Sequence, residues 1–258
     1  MYSISEKIRA GREKEMRNYA AKNSMEIAQA AAMQRAVGVT VAPANVEYGI
    51  DTSFWNGAIS PQQADHNNPS IRVIIPKATE GWGLADAQYV PTWNAAALTA
   101  QQMGGYHFHR RGGDAKVQAA WFCDHAFPGI VMLDFEDTSI PATLSDWWQN
   151  YYIEQIISFF KTVQIIWGDW IIPSYFKLYT GAWFWNPRFK NVNYLAKLAA
   201  VVPDIVVADY YTNPTLDPNK PFNPIMPRGW STWWGWQYTS VGKVRGVFTN
   251  CDMNLFKV

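Results

Sequence analysis

From Tyr48 onward, short apolar runs alternate with longer stretches in which apolar positions recur every three or four residues. The short runs read as strands at residues 48–51, 72–77, 104–108, 130–135, 177–180, 205–209, 235–238 and 247–251. The longer stretches read as helices near residues 85–102, 115–127, 144–163 and 191–201. Strand alternating with helix predicts a parallel sheet, and eight strands predict closure into a barrel. No helical periodicity separates the last strands. The expected fold is therefore an irregular β/α TIM-like barrel with short final connections.

Residues 1–45 follow another pattern. Residues 3–37 read as helix, with Ser3-Ile4-Ser5-Glu6 fitting a capping box and Asn23-Ser24-Met25-Glu26 offering a second start, so one long helix and two shorter ones fit equally. Gly38 ends the pattern, and residues 39–46, with Pro43, read as a linker. Ala28, Ala31, Ala32 and Met33 give this segment an apolar face able to dock on something. The organisation expected is a helical N-terminal extension over 1–45 and a barrel domain over 46–258.

Composition narrows the functional classes. A chain of 258 residues with 48% hydrophobic content can bury the core of one large α/β domain. A formal net charge of +1 gives no electrostatic footprint for nucleic acid, although residues 1–45 are mildly basic, with seven Lys/Arg against four Glu. Cys123 and Cys251 stand far apart, outside any zinc or redox spacing, and read as free thiols. The charged start, Glu6, Lys7, Arg9, Arg12, Glu13, Lys14 and Glu15, lacks the apolar centre of an export signal. No apolar run approaches the roughly 20 residues of a membrane-spanning helix, so no membrane insertion is expected.

Chemistry gathers where the strands end. Barrels of this kind work at the carboxyl ends of their strands, and there the sequence places Asp51, Lys77, His107, Asp134, Glu136, Tyr179, Asp209 and Gln237. Val131-Met132-Leu133-Asp134-Phe135-Glu136-Asp137 is the most informative of these ends. Alternation along an extended strand puts Asp134 and Glu136 on one side, about 6.6 Å apart at Cα, and turns Phe135 and Asp137 to the other. Two carboxyl groups that close can flank one scissile bond, and their mutual repulsion separates a protonated acid from an ionised neighbour. That is the equipment of a glycosidase. Fourteen Trp agree with it, since the C–H faces of a pyranose pack on aromatic rings, although most Trp in any chain fill the core.

The same residues carry a family resemblance. Tyr48-Gly49-Ile50-Asp51-Thr52-Ser53-Phe54-Trp55-Asn56-Gly57, Pro76-Lys77-Ala78-Thr79-Glu80-Gly81, Gly105-Tyr106-His107-Phe108, Leu133-Asp134-Phe135-Glu136, Leu178-Tyr179-Thr180-Gly181, Ala208-Asp209-Tyr210 and Trp236-Gln237-Tyr238-Thr239-Ser240 resemble the successive motifs of glycoside hydrolase family 25, the lysozyme (N-acetylmuramidase) family that includes many phage endolysins. The likeness extends over about residues 46–256 and includes Asp252-Met253-Asn254-Leu255-Phe256. It implies a flattened barrel of five strand–helix units followed by three strands. The implied activity is cleavage of the β-1,4 bond between N-acetylmuramic acid and N-acetylglucosamine in bacterial peptidoglycan, with no metal or organic cofactor.

The resemblance also assigns roles. Glu136 would be the general acid, and Asp134 would stay ionised, supporting charge at the anomeric centre or orienting the substrate's own N-acetyl group in a retaining reaction. Asp51 and Asp209 would bind substrate or tune the pair, where an isolated Asp more often caps a strand end. Lys77 reads as a counter-ion to the acids. His107 would hydrogen-bond a sugar or a catalytic carboxylate, with a satisfied barrel histidine as the alternative. Tyr106, Tyr179 and Gln237 would contact sugar, and Trp55, with Trp82, Trp183 and Trp236 less strongly, would stack on it. The alternatives are a chitinase-like hydrolase of N-acetylglucosamine polymers and a catalytically inactive glycan-binding virion module. Residues 1–45 would either dock on a virion protein or the wall, or pack on the barrel. Without an export signal, such a protein is expected to reach the wall from the host cytoplasm by phage-type release, or in a virion.

Overall fold

The computed structural model describes residues 46–67, 70–99, 101–210 and 223–257, so the helices expected at the N-terminus lie outside the described residues. One sheet contains β1 (Val46–Thr52), β2 (Ile71–Glu80), β3 (Leu84–Ala85), β4 (Gln102–Phe108), β5 (Ile130–Asp134), β6 (Phe176–Thr180), β7 (Asp204–Ala208), β8 (Gly235–Gly242) and β9 (Cys251–Lys257). β1, β2, β4, β5, β6, β7 and β8 pair in parallel in that order. β9 then runs antiparallel between β8 and β1 and closes an eight-stranded barrel, while β3 folds back on the end of β2. The helices are α1 (Pro61–Asp65), α2 (Tyr89–Ala96), α3 (Ala115–His125), α4 (Asp146–Trp167), α5 (Ala182–Arg188) and α6 (Val192–Ala199). Five strands of the barrel are each followed by helix, and among the described residues none follows the three final strands. No described helix is long and apolar enough to cross a membrane.

Two apolar layers result from strand alternation. Val73, Ile75, Ile130, Met132, Val206, Ala208 and Phe256 pack together inside the barrel. Val131, Leu133, Phe135, Leu178, Ile205 and Val207 face outward into a larger core shared with the helices. The inner space is narrow near β9. A Cβ on Gly49 would lie 2.4 Å from the Phe256 ring, and one on Gly235 would lie 2.8 Å from it. Those two glycines leave room for Phe256 to fill the barrel floor, which sets the height at which the polar rim begins.

Several boundaries differ from the sequence expectation. The last strand begins at Cys251, where the sequence reading ended it, because the Val247 N–H closes a turn onto the Val244 carbonyl (3.0 Å) through Gly246 at φ 84°. Alternation begins after that turn, with Met253 and Leu255 in the outer core and Phe256 in the inner one. The expected helix over 85–102 is only Tyr89–Ala96. Asp86 makes a turn ahead of it by accepting the Gln88 N–H (2.9 Å), and the Thr99 hydroxyl competes for the Ala96 carbonyl (2.6 Å) behind it. α5 was not anticipated, since Pro187 lies inside it. Cys123 and Cys251 are free thiols.

Candidate active site

The β5 terminus is built by packing on its outer side. Ile130 and Met132 belong to the inner layer, whereas Val131, Leu133 and Phe135 belong to the outer one. The Phe135 N–H donates to the Tyr179 carbonyl (2.9 Å), so the extended ladder persists one residue past β5. Alternation then carries Asp134 and Glu136 onto the barrel-interior side opposite Phe135. Both are buried, with relative exposures of 4% and 1%. Asp137 turns elsewhere. Its carboxylate accepts the Arg111 N–H (2.8 Å) and the Ser139 N–H (3.0 Å), and lies 3.8 Å from the Arg110 guanidinium. It therefore pins the loop that follows Glu136.

Across the barrel, Asp51 at the end of β1 is held by two amides. Gln237 Nε2 and Asn254 Nδ2 both donate to its Oδ2, at 2.7 and 2.8 Å. The side-chain oxygen of Gln237, Oε1, accepts from the Tyr179 hydroxyl (2.7 Å) and from the Tyr210 hydroxyl. These donors fix the orientation of the amide, and through it the rotamer of Asp51. Tyr179 and Gln237, expected as sugar contacts, thus serve first as supports for a carboxylate. Tyr210 and Asn254 were not singled out from sequence. The alternation Met253-Asn254-Leu255-Phe256 carries the signal for Asn254, a polar residue on the inner face between two outward apolar ones.

Asp209 follows β7, and its Oδ2 accepts the Ile225 N–H (2.7 Å). Its backbone is tied to β8, through its N–H to the Gln237 carbonyl (3.1 Å) and its carbonyl to Trp236 Nε1 (2.9 Å). Trp236 is fully buried, so stacking on a sugar is excluded for it. Tyr106 packs half-buried against the inner layer, in register with Lys77 on one side and Met132 on the other. Trp55 lies 38% exposed in the turn Phe54–Asn56 after β1. That turn is anchored by the Phe54 N–H on Asp86 (2.9 Å) and by Asn56 on the Asn250 carbonyl (2.9 Å).

Lys77 has a partner that the sequence reading did not name. Its ammonium pairs with Glu80, which also accepts from Arg110 Nε (2.8 Å) and Nη2 (2.5 Å), while both cations lie over the Phe108 ring. Burial alone would raise the Glu80 pKa, but Lys77 and Arg110 outweigh it and hold the carboxyl below its ordinary range.

His107 is a correction. Tyr106, its neighbour on β4, packs on the inner layer, so alternation puts the His107 ring on the helix side, where a β-bulge between Lys77 and Thr79 brings Thr79 beside it. Nδ1 lies 2.7 Å from the Thr79 hydroxyl, Nε2 lies 3.0 Å from Gln118 Oε1, and the ring packs on Phe122 and Phe159. It is a satisfied core histidine, and both of its nitrogens are taken away from the rim. Burial pushes its pKa down to about 3.

His109 was missed and sits closer to the acids. Its N–H donates to the Asp134 carbonyl (2.9 Å), and its ring lies against Phe135 with centroids 4.7 Å apart. Neither ring nitrogen has a hydrogen-bond partner among the described residues. Burial lowers its pKa to about 4, against the opposing pull of Asp137. An imidazole that resists protonation in the folded state, and titrates near 6.5 when unfolded, lends stability that is whole above about pH 6.5 and drains away toward pH 4. His109→Phe keeps the ring and removes the titration. In urea unfolding, the variant is expected to lose less stability than the parent between pH 7.5 and pH 5. Equal losses would show that His109 is not a source of acid sensitivity.

Among the described residues, no three His, Cys, Asp or Glu side chains are grouped to hold a metal ion.

Comparison with known proteins bears on the family and the fold. Residues 50–247 match the description Glycosyl hydrolases family 25. Lysozyme M1 of Streptomyces globisporus is 29% identical over 236 residues, covering 84% of this chain and 70% of that protein. A bacterial lysozyme from Streptomyces coelicolor superposes with a TM-score of 0.63 at 23% identity, over 81% of this chain and 91% of its own. A muramidase from Acremonium alcalophilum gives 0.63 at 22% identity, over 82% and 94%.

Proposed function

Because the chain belongs to family 25 of the glycosyl hydrolases, we propose that it is a lysozyme that cleaves the β-1,4 bond between N-acetylmuramic acid and N-acetylglucosamine in bacterial peptidoglycan, with Glu136 as general acid. The observation that carries this reading is the β5 terminus, where the outward anchoring of Phe135 leaves Asp134 and Glu136 on one inner side. Glu136 protonates the glycosidic oxygen. Asp134 remains anionic and supports the positive charge that develops at the anomeric carbon, or aligns the substrate's acetamido oxygen for attack, with retention of configuration. Asp51, on the far side of the rim and immobilised by Gln237 and Asn254, supplies a fixed acceptor for substrate hydroxyl or amide groups. Asp209, Tyr106, Lys77 and Trp55 complete the rim. Asp209 holds the Ile225 N–H, and Lys77 acts through Glu80 and Phe108.

The chitinase-like alternative calls for further acids upstream on the same strand. Ile130 and Met132 occupy that inner face and pack in the apolar layer. An inactive binding module has no specific observation in its favour.

Digestion of purified sacculi, followed by borohydride reduction and mass analysis, tests the bond assignment. The expected products carry reduced N-acetylmuramic acid at their ends. Reduced N-acetylglucosamine ends would replace the muramidase reading with a glucosaminidase one, and an absence of new ends would refute hydrolysis. Residues 1–45 remain a proposed docking arm for the wall or a virion protein, motivated by their basic charge and alanine-rich face. Equal pelleting of chains with and without them on sacculi would remove the wall from that proposal.

A further inference from the structure

We propose that the first two turns of α4 form an accessory glycan-binding platform beside the cleft, with Trp147, Trp148 and Tyr151 stacking on sugar rings of the wall polymer outside the cleaved bond. The inference rests on the peptidoglycan reading above. α4 follows the loop that bears Glu136, so its N-terminal end lies at the carboxyl rim of the barrel. A short chain of rings joins the platform to the acids. Trp148 stacks on Tyr152 (centroids 6.0 Å, 28°), Tyr152 meets Phe135 edge-on (6.1 Å), and Phe135 lies between Asp134 and Glu136 in sequence.

The fold does not need these rings outside. The buried stripe of α4 is Gln149, Tyr152, Ile153, Ile156, Ile157, Phe159, Phe160 and Val163, whereas Trp147 is 65% exposed and Trp148 43% exposed. Trp147 and Tyr151 lie in nearly parallel planes (10°, centroids 5.7 Å), and Trp148 stands edge-on to both (85°). The base beneath them is rigid. Gln149 accepts the N–H groups of Lys190 (2.8 Å) and Asn191 (3.1 Å), which fixes the first turn of α4 to the start of α6. Exposed aromatic rings in a fixed array match the C–H faces of pyranoses and cost little ordering entropy on binding.

Charge decides between a sugar polymer and a lipid surface. A helix that lies on an anionic membrane carries Lys and Arg beside its aromatic residues. Here Asp146 and Glu154 flank the rings, no Lys or Arg occurs between Asp146 and Gln155, and the cations Lys197 and Arg111, which approach from other elements, are engaged by Glu154 and by the Ser139 carbonyl. The polar neighbours, Asn150 and the Tyr151 hydroxyl, suit sugar hydroxyls.

The test uses the full chain in a Glu136→Gln background, which leaves sacculi undigested. Trp147→Ala with Trp148→Ala is expected to weaken pelleting with purified sacculi about tenfold, the scale of truncating an interfacial Trp. Trp147→Phe with Trp148→Phe should restore most of the binding. In the active background, the double alanine variant should cleave soluble fragments of two disaccharide repeats at the parental rate and clear intact sacculi more slowly. Trp147→Ser alone, at the more exposed position, guards against a folding defect, and urea midpoints check it. Equal pelleting of parent and variants overturns the proposal. Tryptophan-dependent binding to phosphatidylglycerol vesicles without such dependence on sacculi also overturns it. Failure of the parent to release reducing ends would sink the hydrolase reading, while tryptophan-dependent pelleting would leave the platform standing.

Discussion

Replacing Glu136 by Gln is expected to slow the clearing of a peptidoglycan suspension by about 10²–10⁴-fold, the usual worth of a positioned general acid. The substitution preserves shape and removes the transferable proton. Glu136 is 1% exposed and follows a strand end locked by Phe135, so the amide would occupy the same place. Binding to sacculi should persist, and the urea midpoint should confirm that the loss is chemical. The acid's neighbour gives a control of contrasting kind. Asp137 spends its carboxylate on the Arg111 and Ser139 N–H groups, so Asp137→Asn should lower the clearing rate far less and act mainly by loosening the loop. Equal clearing by the parent and Glu136→Gln would remove Glu136 from the reaction.

The second large effect is on stability. Phe135→Ala is expected to cost about 3–5 kcal/mol, the range for deleting a fully buried aromatic ring. Its ring is 0% exposed and meets His109 (4.7 Å), Tyr152 (6.1 Å), Phe184 (6.2 Å), Phe189 (6.2 Å) and Trp185 (6.3 Å). No single neighbour can collapse into a space bounded on so many sides. That loss is a large part of the stability of an ordinary domain, so urea unfolding at low temperature is the measurement of choice. The folded fraction should also clear sacculi more slowly than the parent, because the anchor that turns Asp134 and Glu136 inward is gone. A cost under about 1 kcal/mol would mean that the outer layer does not hold the acids in place.

The sequence shows what depends on neighbours in the chain and hides what depends on distant ones. Ile130-Val131-Met132-Leu133 announces a strand buried on both faces, and its alternation carries directly into Asp134 and Glu136. The side His107 faces follows from alternation with Tyr106; its partner was hidden, because one extra residue in β2 brings Thr79 beside the ring, and a bulge has no local signature there. The roles of Tyr179 and Gln237 were hidden for another reason. Their hydrogen bonds join β6, β8 and β1, and Asn254 reaches Asp51 across 203 positions. α5 was concealed by Pro187, and β9 by a turn at Gly246 whose apolar flanks, Val244 and Val247, imitate a strand.

The antiparallel seam of β9 makes the support of Asp51 the last part of the rim to be assembled along the chain. Asp51 is among the first described residues to be synthesised, yet the amide that orients it from β9 is among the last. A nascent chain lacking residues 251–257 has two unsatisfied strand edges, on β1 and β8, and an open barrel floor where Phe256 belongs. Such a chain holds both acids of β5 and the Gln237 donor to Asp51 but lacks the Asn254 donor, so the carboxylate opposite the acids gains its second anchor only when the seam zips shut.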